Sequence, residues 1–337
     1  MASNNKTKEQ ETLGTIVITG TSGFKGARLL KTLDEDPRYK SIIAIDYKKP
    51  PVETKKAKFY KLDLTETLAD VMLADILKKE QCDTLVHCAF PTTPPKNQAF
   101  AHELISIGTM YVFNACAEAR VRKIIFASNT EVYGAFPSNP NFLEEDIHQP
   151  KAHTQSRFLA DKIDAEKQAL KYAKKYPDRI VTILRFGTML GPTINSYKTR
   201  FFRRPIVTTM LGFDPLIQFL HEDDMLVAFM LALEKDCVGI FNIVGDGVLP
   251  LSRVIKILGK YNIKLPQIGF KTLVQLLWTL DLSPAPASHV NFLRYLCVAD
   301  GAKAKKILGF VPRFSTKEAL LSFVGAERLR EVNLIEA

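Results

Sequence analysis

Paired cysteines are missing from this sequence. Its five cysteines, Cys82, Cys88, Cys116, Cys237 and Cys297, are scattered and include no Cys-x-x-Cys. That pattern argues against a structural zinc site and a disulfide framework, so no metal is expected and small buried thiols are the plainer reading. Missing too is any apolar stretch near the roughly 20 residues that a membrane-spanning helix needs. The N-terminal tract MASNNKTKEQET, residues 1–12, lacks the apolar core of a signal peptide and is expected to be disordered. A reducing, cytoplasmic setting is the default. The formal charge is +10, which favours anions. Yet the basic residues are not clustered among aromatics, and there is no docking motif, so no nucleic-acid partner is expected. With 46% hydrophobic and 24% charged residues, bulk disorder is excluded.

What the chain does have is alternation. TIVITG, SIIAIDY, KFYKLDL, DTLVHCAF, KIIFASN and RIVTILRF are short runs, apolar for most of their length, as strands buried on both faces of a parallel sheet are. Helical patterns separate them, among them GARLLKTLDED, LADVMLADILKKE and LADKIDAEKQALKYAKKY. Strand, helix, strand with right-handed crossovers predicts an α/β fold of the Rossmann type, a doubly wound parallel sheet. After about residue 190 the pattern loosens, with more proline and shorter helices. The expected organisation is therefore a dinucleotide-binding domain over 13–190 and a smaller, interleaved C-terminal substrate lobe over 191–337.

TIVITGTSGFKGARLL sets Gly20, Gly23 and Gly26 between the first strand and the first helix. Glycines there let the backbone turn sharply and let phosphate oxygens reach the helix N-terminus. Asp46 ends the next strand about 20 residues on, where an acid accepts from ribose hydroxyls and repels a 2′-phosphate. The reading is NAD, with Lys48 and Lys49 keeping NADP open.

TGTSGFKG resembles the TGxxGFxG signature of the extended short-chain dehydrogenases/reductases, the NAD-dependent epimerase/dehydratase family. The resemblance runs on in order through VHCAF, FASNTEVYG, LRFGTMLGP, FLHEDDMLVAF and GIFNIVGDG. It implies cofactor contacts from Gly20, Ser22, Gly23, Phe24 and Gly26, from Asp46, Asp63 and Leu64, from Cys88 and Ala89, and from Lys162. It also implies helices of the first lobe through which family members commonly pair, leaving a homodimer open.

At the catalytic end the sequence departs from the family. FLADKIDAE, residues 158–166, keeps the lysine as Lys162, but the position four residues earlier, tyrosine in the family, is Phe158. A phenyl ring carries no proton. The alternative register, His153 and Arg157, also lacks a tyrosine and displaces the lysine. Asn129 falls where the family has Ser or Thr. SNTEVYG resembles the STDEVYG of sugar-nucleotide 4,6-dehydratases, with Glu131 matching their acid and Thr130 replacing their aspartate. His153, upstream of Phe158, is a substitute proton donor to test.

In TINSYKTRFFRRP, Lys198, Arg200, Arg203 and Arg204 lie close in sequence and suit a nucleoside diphosphate or, equally, a solvated helix face. The resemblance adds Arg294 as a phosphate contact and puts Thr188 where the family has asparagine. FKTLVQLLWTLDL, residues 270–282, holds the only tryptophan, Trp278. It reads as core or dimer face, as the wall of a pocket for a sterol-like or lipid-linked substrate, or as a membrane-surface contact. The leading expectation is an NAD-dependent epimerase/dehydratase-like oxidoreductase acting on a nucleotide sugar, with an altered proton-transfer site. The alternatives are a non-catalytic NAD sensor or scaffold, and an oxidoreductase of a hydrophobic alcohol like the 3β-hydroxysteroid dehydrogenases.

Overall fold

The computed structural model describes residues 14–332, so the polar tract at 1–12 lies outside them. The six apolar runs all form strands: β1 Thr15–Thr19, β2 Ile42–Asp46, β3 Lys58–Lys61, β4 Cys82–His87, β5 Lys123–Asn129 and β6 Ile180–Phe186. A seventh strand, β7 Gly239–Ile243, returns from the later part of the chain. The sheet order is β7-β6-β5-β4-β1-β2-β3, and every pairing is parallel.

Alternate residues of each strand face opposite sides, and the two cores divide accordingly. Val17, Ile43, Leu85 and Ile124 pack on one face. Ile16, Ile18, Ala44, Val86 and Ile125 pack on the other. Helices cover both: α1 (Phe24–Glu35) and Glu222–Glu234 pack together on one side, while Ala69–Lys79, Gly108–Glu118 and α2 (Arg157–Lys175) pack in turn on the other. Each fully buried Leu, Ile or Val contributes about 1.5–3 kcal/mol, so these apolar strands have no competing solvent-exposed arrangement.

The chain runs β1, β2, β3 to one edge and then crosses to β4 on the other side of β1. Where the order reverses, the loops after β1 and β4 part and leave a crevice at the strands' carboxyl ends. Thr19 pairs with both Ile45 and His87, so the three ends are level there.

A smaller core in the C-terminal part joins Leu190, Phe202, Phe219, Val254, Leu320 and Phe323. STKEALLSFVG opens the last helix, Thr316–Glu331, with Ser315 and Glu318 forming a capping box. Residues 270–279 form the helix that the apolar spacing predicts, and Tyr261–Leu265 pairs with Ile206–Met210 just before it.

Candidate active site

Gly20 sits at φ +81°, and a Cβ there would lie 2.5 Å from the backbone of Ala89. A methyl on Gly26 would overlap the Gly20 carbonyl oxygen. Only glycine permits this turn, which delivers the chain to the start of α1. That helix has no side-chain cap and no acidic residue in its first turn, so its free N–H groups and dipole point into the crevice unopposed. Asp46 is buried, and its Oδ2 accepts from Ser22 N at 2.7 Å, which locks the glycine loop to the end of β2. Asp63 Oδ1 accepts from Thr65 N at 2.9 Å and Thr65 Oγ1 at 2.8 Å. Around them is a cavity lined by Gly20, Ser22, Gly23, Asp46, Asp63, Leu64, Cys88 and Ala89, among others. Phe24 opens α1 and packs against the core of that face rather than lining this cavity. Anion donors at one end and a ribose acceptor at the other are the parts a dinucleotide needs, so the residues present fit one.

The crevice continues past Phe90 and Pro91 to Lys25, Asn129 and Lys162. Phe158, Lys162 and Glu166 succeed one another at four-residue intervals on α2, hence on one face. Glu166 is buried and accepts from Arg185 Nε at 2.9 Å and Ser128 Oγ at 2.8 Å. Arg185 also donates to Tyr133 Oη at 2.7 Å, and that hydroxyl donates to Asn242 at 3.0 Å. This network ties α2 to β5, β6 and β7 and fixes the helix one turn beyond Lys162. Breaking one partner of such a buried ion pair strands the other charge.

Lys162 Nζ lies over the Phe158 ring, 4.3 Å from its centroid. Burial pulls its ammonium down to about 8, with Lys25 and Lys198 pushing the same way and Glu131 opposing. Glu131 is buried, pairs with Lys198 Nζ at 2.8 Å and accepts from the Tyr197 hydroxyl. Burial disfavours its charge, yet Lys198, Lys162 and His289 outweigh that and hold the carboxyl at about 2. His289, itself buried, is pulled down to about 4 by desolvation and stays neutral near pH 7. The Asn129 side-chain oxygen is buried without a hydrogen-bond partner, so it can accept from a ligand. Three lysines thus surround one carboxylate, and one of them can exchange its proton near neutral pH. Lys25, Tyr197 and His289 were not singled out by sequence reasoning. Lys25 occupies a variable position of the glycine signature, and His289 is a lone histidine in a proline-rich loop; neither carries a local signal.

Thr188, Tyr197 and Lys198 line this junction and also an adjoining chamber. Its walls are mainly apolar, including Phe201, Phe219, Phe270, Leu277 and Phe292; Lys198 and Arg204 are its cations, and none of its lining residues is acidic. The expected arginine patch is dispersed. Arg200 donates to Thr93, Arg203 to Glu327, and Arg204 to the Leu282 carbonyl. Arg294 lies over the rings of Phe213 and Tyr295, and its Nε is buried without a partner. Thr130 is buried, its carbonyl accepting from Cys297 Sγ. His153 is exposed on the turn Ala152–Thr154 and lines neither the junction nor the chamber.

The sequence profile of the NAD-dependent epimerase/dehydratase family matches residues 16–244, about two thirds of the chain. The chain belongs to that family. An uncharacterized protein of Mycobacterium tuberculosis is 31% identical over 90% of this chain and 81% of its own length. Cinnamoyl-CoA reductase 1 of Petunia hybrida is 25% identical over 73% and 77%. Among solved structures, MoeE5 in complex with UDP-glucuronic acid and NAD superposes with a TM-score of 0.70 at 24% identity, over 94% of this chain and all of that one. UDP-glucose 4-epimerase of Thermotoga maritima, solved with UDP-glucose, also gives 0.70, at 21% identity over 94% and 99%. In this epimerase/dehydratase member the cofactor crevice follows the family signature. The junction holds Lys162 with Phe158 one helical turn before it.

Proposed function

We propose that the protein is an NAD-dependent oxidoreductase whose substrate has an extended apolar body and an anionic or polar end. The observation that supports this most is the chamber: apolar walls, two cations and no acid, sharing Thr188, Tyr197 and Lys198 with the junction that holds Lys162 and Glu131. A hydrophobic substrate gains about 25 cal/mol for each Å² it buries there, while Lys198 and Arg204 hold its charged end.

Bound in the crevice, NAD supplies a hydride acceptor or donor at the junction. Gly20, Gly23 and the N-terminus of α1 would hold its pyrophosphate, Asp46 the adenosine ribose and Lys162 the nicotinamide ribose. Proton exchange at the substrate oxygen falls to Lys162, the junction group whose proton is labile near neutral pH. The Lys198 ammonium stabilises an oxyanion at the same place. Phe158 packs under Lys162 and takes no part in proton transfer.

A nucleotide sugar is the second reading. The cations Lys198 and Arg204 favour it, as do the ligands named for MoeE5 and the Thermotoga epimerase. Trp278 is the only tryptophan and follows Leu277, which lines the chamber, so its fluorescence reports on occupancy. NAD-loaded protein should give a fluorescence change and a rise in melting temperature with a steroid carboxylate or a prenyl diphosphate. A response to UDP-glucose and none to the apolar probes would replace this reading with the sugar one. Binding of NAD without turnover of either class would return the protein to the sensor or scaffold alternative.

A further inference from the structure

The helix Phe270–Thr279 is apolar on two sides. Phe270, Val274 and Leu277 line the chamber, while Leu273, Leu276 and the C-cap Leu280 are exposed on the flank beside that face. Lys271, Thr272, Gln275 and Thr279 complete the outer side, so the exposed leucines form an apolar strip bordered by polar residues and without the cover an apolar helix face normally finds. The segment leading into the helix shares the property: Ile268 is 93% exposed, Tyr261 is 80% exposed, and Ile263 is exposed on the same strand. From Gly247 to Leu280 the sequence contains no Asp or Glu and five basic residues, Arg253, Lys256, Lys260, Lys264 and Lys271. The acids bordering that run are engaged: Asp246 pairs with Lys305 and Asp281 with Lys96, while Asp214, packed beside the run, accepts from Ser252.

We propose that this cationic, apolar surface of the segment 253–282 docks on an anionic lipid bilayer. Exposed aliphatic side chains interleaved with lysines suit the boundary between acyl chains and phosphate headgroups, where each part finds its solvent. A second copy of the chain fits less well. A two-fold contact of this patch with itself would bring its uncompensated lysines against their own copies. Docking puts the outer face of the 270–279 helix on the membrane while its inner face walls the chamber, so a lipid-soluble molecule has a short path between them. The surface stands on its own residues, and its test needs neither cofactor nor substrate.

The full chain would be sedimented with sucrose-loaded vesicles of phosphatidylcholine, with and without one quarter phosphatidylglycerol. The expected result is binding to the anionic vesicles, weakened by salt. Lys264→Gln with Lys271→Gln should lower the partition coefficient about 25-fold, roughly fivefold for each cation removed. Ile268→Asp, at a fully exposed position, should lower it further without changing the melting temperature. Equal binding to neutral vesicles, or none to either, overturns the proposal. So does a concentration-dependent dimer that Ile268→Asp abolishes, which would give this surface to a second copy.

Discussion

Replacing Glu131 with Gln tests whether the three-lysine junction is organised around that carboxylate. An ordinary glutamate titrates near 4.5, and Glu131 is held at about 2. The difference corresponds to about 3 kcal/mol by which the folded protein prefers the ionised form. Because the folded value is depressed, this stabilisation is complete above pH 4.5 and is lost as pH falls through 2. Gln has nearly the same shape and still accepts from the Tyr197 hydroxyl, so Glu131→Gln removes mainly the charge. At pH 7 the variant should be less stable than the parent by about 3 kcal/mol in urea unfolding. At pH 3, between the two values, the linkage relation leaves less than half of that gap. A parent and variant of equal stability at pH 7 would refute the reasoning, and so would a gap that does not narrow in acid. The substitution should also drive the Lys162 ammonium below about 8, since Glu131 is the group favouring its charge.

In the oxidation direction turnover should rise with pH through about 8, because Lys162 must be neutral to accept a proton; in reduction it should fall over the same range. A flat profile between pH 6.5 and 9.5 takes the proton away from Lys162. Phe158→Tyr restores a phenol one turn before Lys162, and should raise kcat at least tenfold with little change in melting temperature. An unchanged kcat means that tyrosine is not what limits this site. Asp46→Ala removes the acceptor for Ser22 N and for the adenosine ribose. The loss of about 1.5–3 kcal/mol for a charge-assisted bond predicts NAD affinity some 10- to 150-fold weaker by calorimetry. NADP should lose less, since Lys48 and Lys49 lie nearby in sequence; a larger loss for NADP would contradict the role given to Asp46.

The sheet was legible from sequence because its strands are buried on both faces. Such strands cannot be anything but apolar runs, and TIVIT, IIAID and CDTLVH lie where the pattern places them. The glycine turn was legible for a related reason, since Gly20 and Gly26 meet backbone that tolerates no Cβ. Local sequence carries both constraints. The basic run at 198–204 read equally as a phosphate site or a solvated helix face, and sequence spacing could not choose between them. Arg200 and Arg203, three residues apart, share one side of their helix yet engage Thr93 and Glu327, while Arg204, just beyond, turns to the Leu282 carbonyl and the chamber.

The junction shows why the missing tyrosine was both the sharpest sequence observation and an incomplete one. Phe158 removes a hydroxyl, and sequence alone could look for its replacement only among neighbours, which led to His153. That residue is exposed on a turn away from the junction. The groups that surround Lys162 instead arrive from separate parts of the fold. Lys25 comes from the start of α1, Glu131 from the turn after β5, Tyr197 and Lys198 from a short helix, and His289 from the chamber wall. Glu131 and Lys198 stood out in sequence singly, but only the fold brings them together with Lys25, Tyr197 and His289, and what counts is the field they make together. In the family pattern a lysine lowers the pKa of a tyrosine. Here burial and two further lysines lower that of the lysine itself, and on that ground the proposed proton carrier is Lys162, one helical turn along α2 from Phe158.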